Sequence, residues 1–322
     1  MNAMWKIVLP LLAAVYVVSS QKLMGGFNDI DVNDEGVQNA LNFAVVKHNR
    51  ESNAVCPSQV SRVVKATRQV YGFLHGINRN KPTVLEVLVD RWPDFNVIIC
   101  RPDPKNKHAR EFMKKVTYYS TDAEVLRKVL TEENAFDWRT YFVVGGFDFS
   151  HSSILKEVSS HREVNNRVYT LVHLLYLPDI SQLLTPAIDS ELESRISSLS
   201  LSHVDLVNKT WKFGGNKQGF KIIQNLIGNF PSCCITDAEG QPVSWILVYD
   251  YCAMGILYTL PEHRGKGYAK VLVSTMAKRL HTEGYPVYCF IEEENVVSYK
   301  LFKNLGFTED PSYRAAWFEF NF

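Results

Sequence analysis

The sequence predicts an α/β (α+β) protein built on a mixed central sheet flanked by helices. Two observations carry that prediction. From Val70 onward, short apolar or alternating runs recur between segments whose apolar residues fall at helical spacing, and elements that alternate in this way stack helices on the faces of a sheet. The composition, 46% hydrophobic and 12% aromatic over 322 residues, supplies a sizeable core and excludes a disordered or fibrous chain. Charge narrows the partners rather than the fold. With 35 basic residues against 34 acidic ones, a formal charge of +1 gives no pull toward nucleic acid or an anionic membrane.

The amino terminus stands apart from this pattern. Lys6 gives the first residues one positive charge, residues 7–18 are apolar but for Pro10, and Val18-Ser19-Ser20 has the small-residue pattern of a signal-peptidase site. The expectation is a secretory signal peptide over residues 1–20. The run falls short of the roughly 20 apolar residues that a membrane span needs. Behind it, Val37, Leu41, Ala44, Val45 and His48 form the stripe of a helix at 34–51, with Asn33 or Asp34 as its cap. Residues 61–69, with Arg62, Lys65 and Arg68, alternate like a strand. Strands follow at 96–100 and 116–120. A helix at 122–133 comes next, apolar along Ala123, Leu126, Val129 and Leu130 and capped by Thr121 or Asp122. Strands at 141–144 and 168–177 enclose a helix at 152–162, and residues 179–201, rich in Ser, Pro and Glu, read as an extended connection. The sequon Asn208-Lys209-Thr210 is read as structural rather than glycosylated. Cysteines at 56, 100, 233, 234, 252 and 289 show no zinc spacing, so no metal site is expected and buried thiols are.

The carboxy-terminal third carries the chemistry. Strands are expected at 233–236, 243–249 and 254–260. The last runs into Pro261-Glu262-His263-Arg264-Gly265-Lys266-Gly267 and then a helix whose face is Ala269, Leu272, Val273, Met276 and Leu280. A strand, a glycine-containing loop and a helix start make an anion site, because unpaired amides and the positive end of the helix dipole point the same way. Gly265 and Gly267 let the backbone close on a pyrophosphate, and Arg264 and Lys266 add positive charge. The loop lacks the third glycine of a dinucleotide fingerprint and the Lys-Ser/Thr of a Walker loop. A strand at 286–291, a helix at 295–307 that ends at Gly306, and a final strand at 313–320 complete the block.

These motifs resemble the GNAT acyltransferase superfamily: Arg264-Gly265-Lys266-Gly267-Tyr268-Ala269 matches its pyrophosphate loop, and Asn295, Ser298, Leu301, Phe302, Gly306 and Phe307 match its later signature. Gly214-Gly215-Asn216, Gly240-Gln241-Pro242-Val243-Ser244-Trp245 and Thr259-Leu260-Pro261-Glu262-His263-Arg264 narrow the resemblance to glycine N-acyltransferase-like proteins over about 70–322. It implies two GNAT-like domains, 70–231 and 232–322, with acyl-CoA bound by Leu260, Arg264, Gly265, Lys266, Gly267, Tyr268, Ala269, Asn295 and Ser298. Acyl-CoA would serve as co-substrate, with no permanently bound cofactor. Glycine or a related amino acid would be the acceptor, with no nucleic acid, no membrane span, and a monomer compatible with the sequence. Separately, Leu23-Met24-Gly25-Gly26 and Gly36-Val37-Gln38-Asn39-Ala40-Leu41-Asn42-Phe43-Ala44 resemble the opening and helix of a secreted cystatin, a match that covers residues 21–69 behind the signal peptide. The acyltransferase resemblance implies a mitochondrial protein, whereas the leader implies the secretory pathway.

Proton transfer is where the sequence departs from the family. The glutamate base of the glycine N-acyltransferases falls on Ala253, with Asp250 the nearest carboxylate upstream and Glu262 beyond the strand. The superfamily's tyrosine acid falls on Phe302, and Tyr299 lies one turn earlier. Three readings stay open: an acyl-CoA:amino-acid N-acyltransferase, an acyl-CoA-binding relative with weak catalysis, and a cystatin-like inhibitor of cysteine proteases.

Overall fold

The computed structural model describes residues 5–7, 68–91, 95–106, 109, 114–132, 135–309 and 313–322. The expected helix at 34–51, Cys56 and all of the expected signal peptide except residues 5–7 lie outside them. Helix α1 spans Arg68–Asn78, so Gln69 belongs to a helix and not to the strand expected over 61–69. Val70, Phe73, Leu74 and Ile77 recur at helical spacing, and Val70 and Phe73 are buried, a periodicity that outweighs the alternation before it.

The described strands form one mixed sheet. β1 (Trp5–Ile7), β2 (Leu85–Val89), β3 (Val97–Pro102) and β4 (Lys115–Ser120) pair antiparallel in that order. The sequence reading did not mark β2. Its apolar run is broken by Glu86, which is buried and held by Arg101 directly across the ladder at 2.7 Å. Helix α2 (Ala123–Glu132) carries the chain to β5 (Phe142–Asp148), which lies parallel to β4. The Asp122 carboxylate caps α2 by accepting from the amides of Glu124 and Val125. Helix α3 (Ser152–His161) then leads to β6 (Asn166–Tyr176).

The connection over 179–201 is more structured than expected: Asp189 caps a short helix, α4 (Ser190–Ser194), and β7 (Ile196–Ser197) pairs with β8 (Ser232–Thr236). Between them come α5 (Val204–Thr210) and α6 (Lys217–Asn229). The sequon residue Asn208 is buried in α5, where its side-chain oxygen accepts from the Gly215 amide at 3.1 Å. The rest of the chain runs β9 (Pro242–Val248), β10 (Met254–Thr259), α7 (Tyr268–Thr282), β11 (Tyr288–Glu292), α8 (Val296–Asn304), β12 (Thr308–Glu309) and β13 (Ala315–Phe320). Across the sheet the order is β1-β2-β3-β4-β5-β13-β6-β11-β10-β9-β8-β7, with β12 also on β6. The last strand in sequence thus sits between β5 and β6 and ties the two halves of the molecule together.

Cys233 and Cys234 point to opposite faces of β8, yet both are buried, so the sheet is covered on both sides there. One large core fills the carboxy-terminal half and another the amino-terminal half. A smaller third core joins them: Val70 and Phe73 of α1, Val87, Ile98, Leu174, Tyr288, Tyr251 and Ala253 meet there. Among the described residues no helix is long and apolar enough to cross a membrane.

Candidate active site

The glycine loop forms an open cradle of backbone amides. β10 ends in a tight turn, Pro261–His263, and Gly265 and Gly267 take φ of +77° and +78°, a region that L side chains rarely enter. A Cβ on either would meet nothing within 4 Å, so the cradle opens to solvent. The amides of residues 265–269 make no hydrogen bond among the described residues, and α7 begins at Tyr268 with its positive dipole end behind them. Lys266 is exposed. The Arg264 guanidinium donates to the Thr259 carbonyl at 3.1 Å and lies over the Tyr258 ring, which anchors it at the loop's rim. The Tyr268 side chain turns inward, its hydroxyl accepting from Arg195 at 3.2 Å, so this residue offers the loop its amide only. Leu260 is half-buried and its amide is spent on the Val243 carbonyl.

β10 is bent away from its neighbours beside this cradle. Its register with β9 shifts between Gly255 and Tyr258, Ile256 holds φ +51°, and its parallel pairing with β11 is confined to Met254 opposite Cys289. A β-branched residue at positive φ is a strained one, and a bulge of this kind re-aims backbone groups away from the ladder. The result is a wedge between β10 and β11 where an extended chain can lie against free strand edge.

The other residues marked in sequence divide. The Asn295 side chain accepts from the Ser298 amide at 3.1 Å, which makes it the cap of α8. Phe302 is buried edge-on against Phe307. The Tyr299 hydroxyl donates to Glu309 at 2.7 Å, and Glu309 also meets His173 at 3.2 Å; this hydroxyl is committed to that cluster and does not line the cavity described next.

On the other side of the wedge, Met254 and Phe290 open into a cavity of about 520 Å³ lined mainly by apolar and aromatic groups. Ala253 lines it and brings no titratable group. Four charged residues do: Asp250 from the turn between β9 and β10, Lys115 from β4, Lys114 just before it, which lies over the Tyr141 ring, and Glu292 from β11, which pairs with Lys212. Burial pushes the Asp250 carboxyl up to about 6, against the opposing pull of Lys115 and of the amides of Asp250 and Tyr251. Burial likewise lowers the Lys115 ammonium to about 8, opposed by Asp250. The Lys115 Nζ stands 3.8 Å from the centre of the Tyr251 ring and 5.6 Å from that of Trp317. Sequence reasoning named Asp250 only as a neighbour of position 253 and passed over Lys115, whose strand gives no local sign that it will face a cavity built largely from the other half.

Fold and site together define an acyltransferase of the GNAT type, with a glycine loop at a helix start, a splayed strand and an adjoining aromatic cavity. A family model described as aralkyl acyl-CoA:amino acid N-acyltransferase matches residues 60–231, one described as FR47-like protein matches 235–317, and a cystatin domain matches 25–78. The chain belongs to the aralkyl acyl-CoA:amino acid N-acyltransferase family. It is 29% identical to a glycine N-acyltransferase of Rattus norvegicus, over 77% of this chain and 88% of that one. It is 28% identical to a glycine N-phenylacetyltransferase of Bos taurus, over 74% of this chain and 86% of that one. A solved Drosophila protein superposes with a TM-score of 0.65 at 15% identity, over 87% of this chain and 95% of that one, and shows the same fold.

Proposed function

We propose that the chain transfers an acyl group from an acyl-CoA thioester to the amine of glycine or a similar small amino acid, releasing CoA and an N-acyl amino acid. The observation that carries this reading is the run of unsatisfied amides at 265–269 placed at the mouth of the β10–β11 wedge. Five donors, a helix dipole and the side chains of Arg264 and Lys266 suit the diphosphate of CoA. The pantetheine arm then lies along the bulged edge of β10, and an amide of the stretch 255–257 supplies the donor for the tetrahedral oxyanion. That delivers the thioester carbonyl to Met254 and the cavity, where the acceptor amine attacks. A thiolate leaves readily, so Phe302 in place of an acid is a small loss. The names of the relatives support glycine as acceptor. The reaction needs a compartment that supplies acyl-CoA, which favours the mitochondrial destination over the secretory one.

The test is thiol release from benzoyl-, phenylacetyl- and long-chain acyl-CoA against a panel of amino acids, with calorimetry of CoA binding alongside. Saturable CoA binding with amine-dependent thiol release supports the reading. Binding without amine-dependent release would point to the weakly catalytic relative that Ala253 and Phe302 suggest, and no binding would end both readings.

A further inference from the structure

A cation and an anion face one aromatic cavity without pairing with each other. Lys115 makes no hydrogen bond or ion pair among the described residues; its ammonium is held only by the faces of Tyr251 and Trp317. Gly145 leaves the room for this arrangement, since a Cβ there would meet Trp317 at 2.5 Å and the Lys115 stem at 2.9 Å. Asp250 sits on a turn fixed from three sides. Tyr249 donates its amide to the Ala253 carbonyl at 2.9 Å, Tyr249 and Tyr251 stack at 5.0 Å, and Tyr288 donates its hydroxyl to the Tyr251 carbonyl. Helix α1 closes the turn from behind, with the Cys252 thiol donating to the Gly72 carbonyl. Burying two opposite charges in such surroundings without joining them is costly for stability alone. The arrangement does fit a ligand that carries both charges itself.

We propose that this pair is the acceptor site: Lys115 binds the carboxylate of a zwitterionic amino acid, and Asp250 is the base that takes the proton from its ammonium group. The inference rests on the acyltransferase reading and deepens it. The ammonium loses one proton to the Asp250 carboxylate, and the freed lone pair forms the N–C bond at the thioester carbonyl. The carbon–sulfur bond breaks with its electron pair on sulfur, and the departing thiolate takes the second surplus proton from nitrogen. Asp250 returns its proton to solvent. A carboxylate three residues before the family's base position thus does the work that Ala253 cannot. The opposite pull of Lys115 keeps Asp250 ionised at neutral pH in spite of its burial.

The groups facing Asp250 allow a pH test. Lys115 faces it from β4, Tyr249, Tyr251 and Cys252 from its own turn, and Lys114, just before β4, and Glu292 of β11 line the same cavity. Packed behind the turn are His75 on α1 and, just past its end, Arg79 and Lys81. Burial drives His75 down to about 4 and Cys252 up to about 12, so neither produces a limb near neutrality. The kcat/KM for glycine is expected to rise through pH about 6 and to fall through pH about 8 as Lys115 loses its charge.

The experiment compares glycine with glycinamide, which lacks the carboxylate, in the wild type, Asp250→Asn, Asp250→Glu and Lys115→Met, with acyl-CoA binding measured for each. Lys115→Met is expected to raise the KM for glycine at least tenfold, to leave that for glycinamide within about twofold, and to abolish the limb near 8. Asp250→Asn is expected to lower kcat by about 10²–10⁴-fold and remove the limb near 6, with acyl-CoA affinity unchanged and part of the rate restored in Asp250→Glu. A Lys115→Met protein that still prefers glycine, or an Asp250→Asn protein that keeps the acid limb, would overturn the assignment. So would a wild type that binds acyl-CoA but acylates no zwitterionic amine. Loss of acyl-CoA binding in the wild type would overturn the acyltransferase reading with it.

Discussion

Two glycines on one turn of α1 should respond oppositely to the same substitution. Glycine in a helix interior costs roughly 0.5–1 kcal/mol relative to alanine, so Gly→Ala stabilises wherever the new methyl finds room. At Gly76 it does: the Cβ would lie 3.5 Å from the Asp250 carbonyl oxygen and 3.8 Å from the Lys81 Cβ, ordinary contact distances. At Gly72 it would lie 1.8 Å from the Tyr251 carbonyl oxygen and 2.8 Å from the Tyr288 hydroxyl. Relieving that contact means moving backbone, since the obstacle is a carbonyl and not the end of a flexible side chain. Overpacking of this kind costs about 1–3 kcal/mol, and weakening the Tyr288 and Cys252 hydrogen bonds adds about 1 kcal/mol each. The helix gain is too small to offset this, so Gly72→Ala is expected to lose about 2–4.5 kcal/mol while Gly76→Ala gains up to about 1 kcal/mol. At roughly 2–4 °C per kcal/mol for a domain of this order, thermal unfolding separates the two clearly. Kinetics add a second readout. Gly72→Ala displaces the turn that carries Asp250, so its kcat for glycine should fall while calorimetry shows unchanged CoA binding at the distant loop. If Gly72→Ala is as stable as Gly76→Ala, α1 does not clamp the turn as described.

Further outcomes follow from the same geometry. Gly267→Asp places a side chain at φ +78° and a negative charge in the cradle, and calorimetry should show CoA affinity reduced more than tenfold. Arg101→Ala strips the buried Glu86 of its partner and should cost about 3–5 kcal/mol in denaturant unfolding, whereas replacing both residues with leucine should cost much less. Tyr299→Phe should leave kcat within about twofold, because its hydroxyl serves Glu309, and lose about 1 kcal/mol of stability. Asp250 also links stability to pH. Its carboxyl titrates near its ordinary value of 3.8 in the unfolded chain and at about 6 in the folded protein. Between those values the unfolded state gives up its proton first, so stability should fall as pH rises from about 4 to 6. Unfolding temperatures measured across that window should show the slope in the wild type and lose it in Asp250→Asn.

Local signals made most of the carboxy-terminal half readable. Strand patterns at 233–236 and 243–249, the amphipathic face from Ala269 to Leu280 and the glycine C-cap at Gly306 lie within windows of a dozen residues, and the structure places β8, β9, α7 and α8 there. The loop at 264–269 was legible for the same reason, since two glycines before a helix define both conformation and polarity. What sequence could not show is the product of long-range pairing. The insertion of β13 between β5 and β6 depends on partners more than 130 residues distant, and no local pattern encodes it. Lys115 reads as an ordinary basic residue at the edge of a strand until Trp317, Tyr251 and Gly145 are assembled around it. The helical start at Arg68 was obscured because alternation over 61–69 continues without a turn signal into the 70, 73, 74, 77 periodicity.

On the proposed assignment, the lack of a carboxylate at position 253 has a structural logic. Ala253 is 1% exposed and belongs to the small core that joins the halves, packed with Val70, Phe73 and Tyr288. A longer side chain there would have to displace those neighbours or emerge into the cavity beside Asp250. Asp250 needs no such room, because the turn before β10 already projects it into the cavity within the field of Lys115. One ionised group at this end of the cavity can be kept charged by one lysine; two carboxylates side by side would push one of their pKa values up and leave only the other as a base. Alanine at 253 and aspartate at 250 are therefore coupled choices. Introducing Glu at 253 into the otherwise unchanged protein should lower, not raise, the fraction of ionised Asp250 at neutral pH. The acid limb of kcat/KM should move above 6, whereas the same substitution in Asp250→Asn should recover activity with a limb set by Glu alone. An Ala253→Glu protein whose acid limb stays where it was would show that the two positions do not share a site.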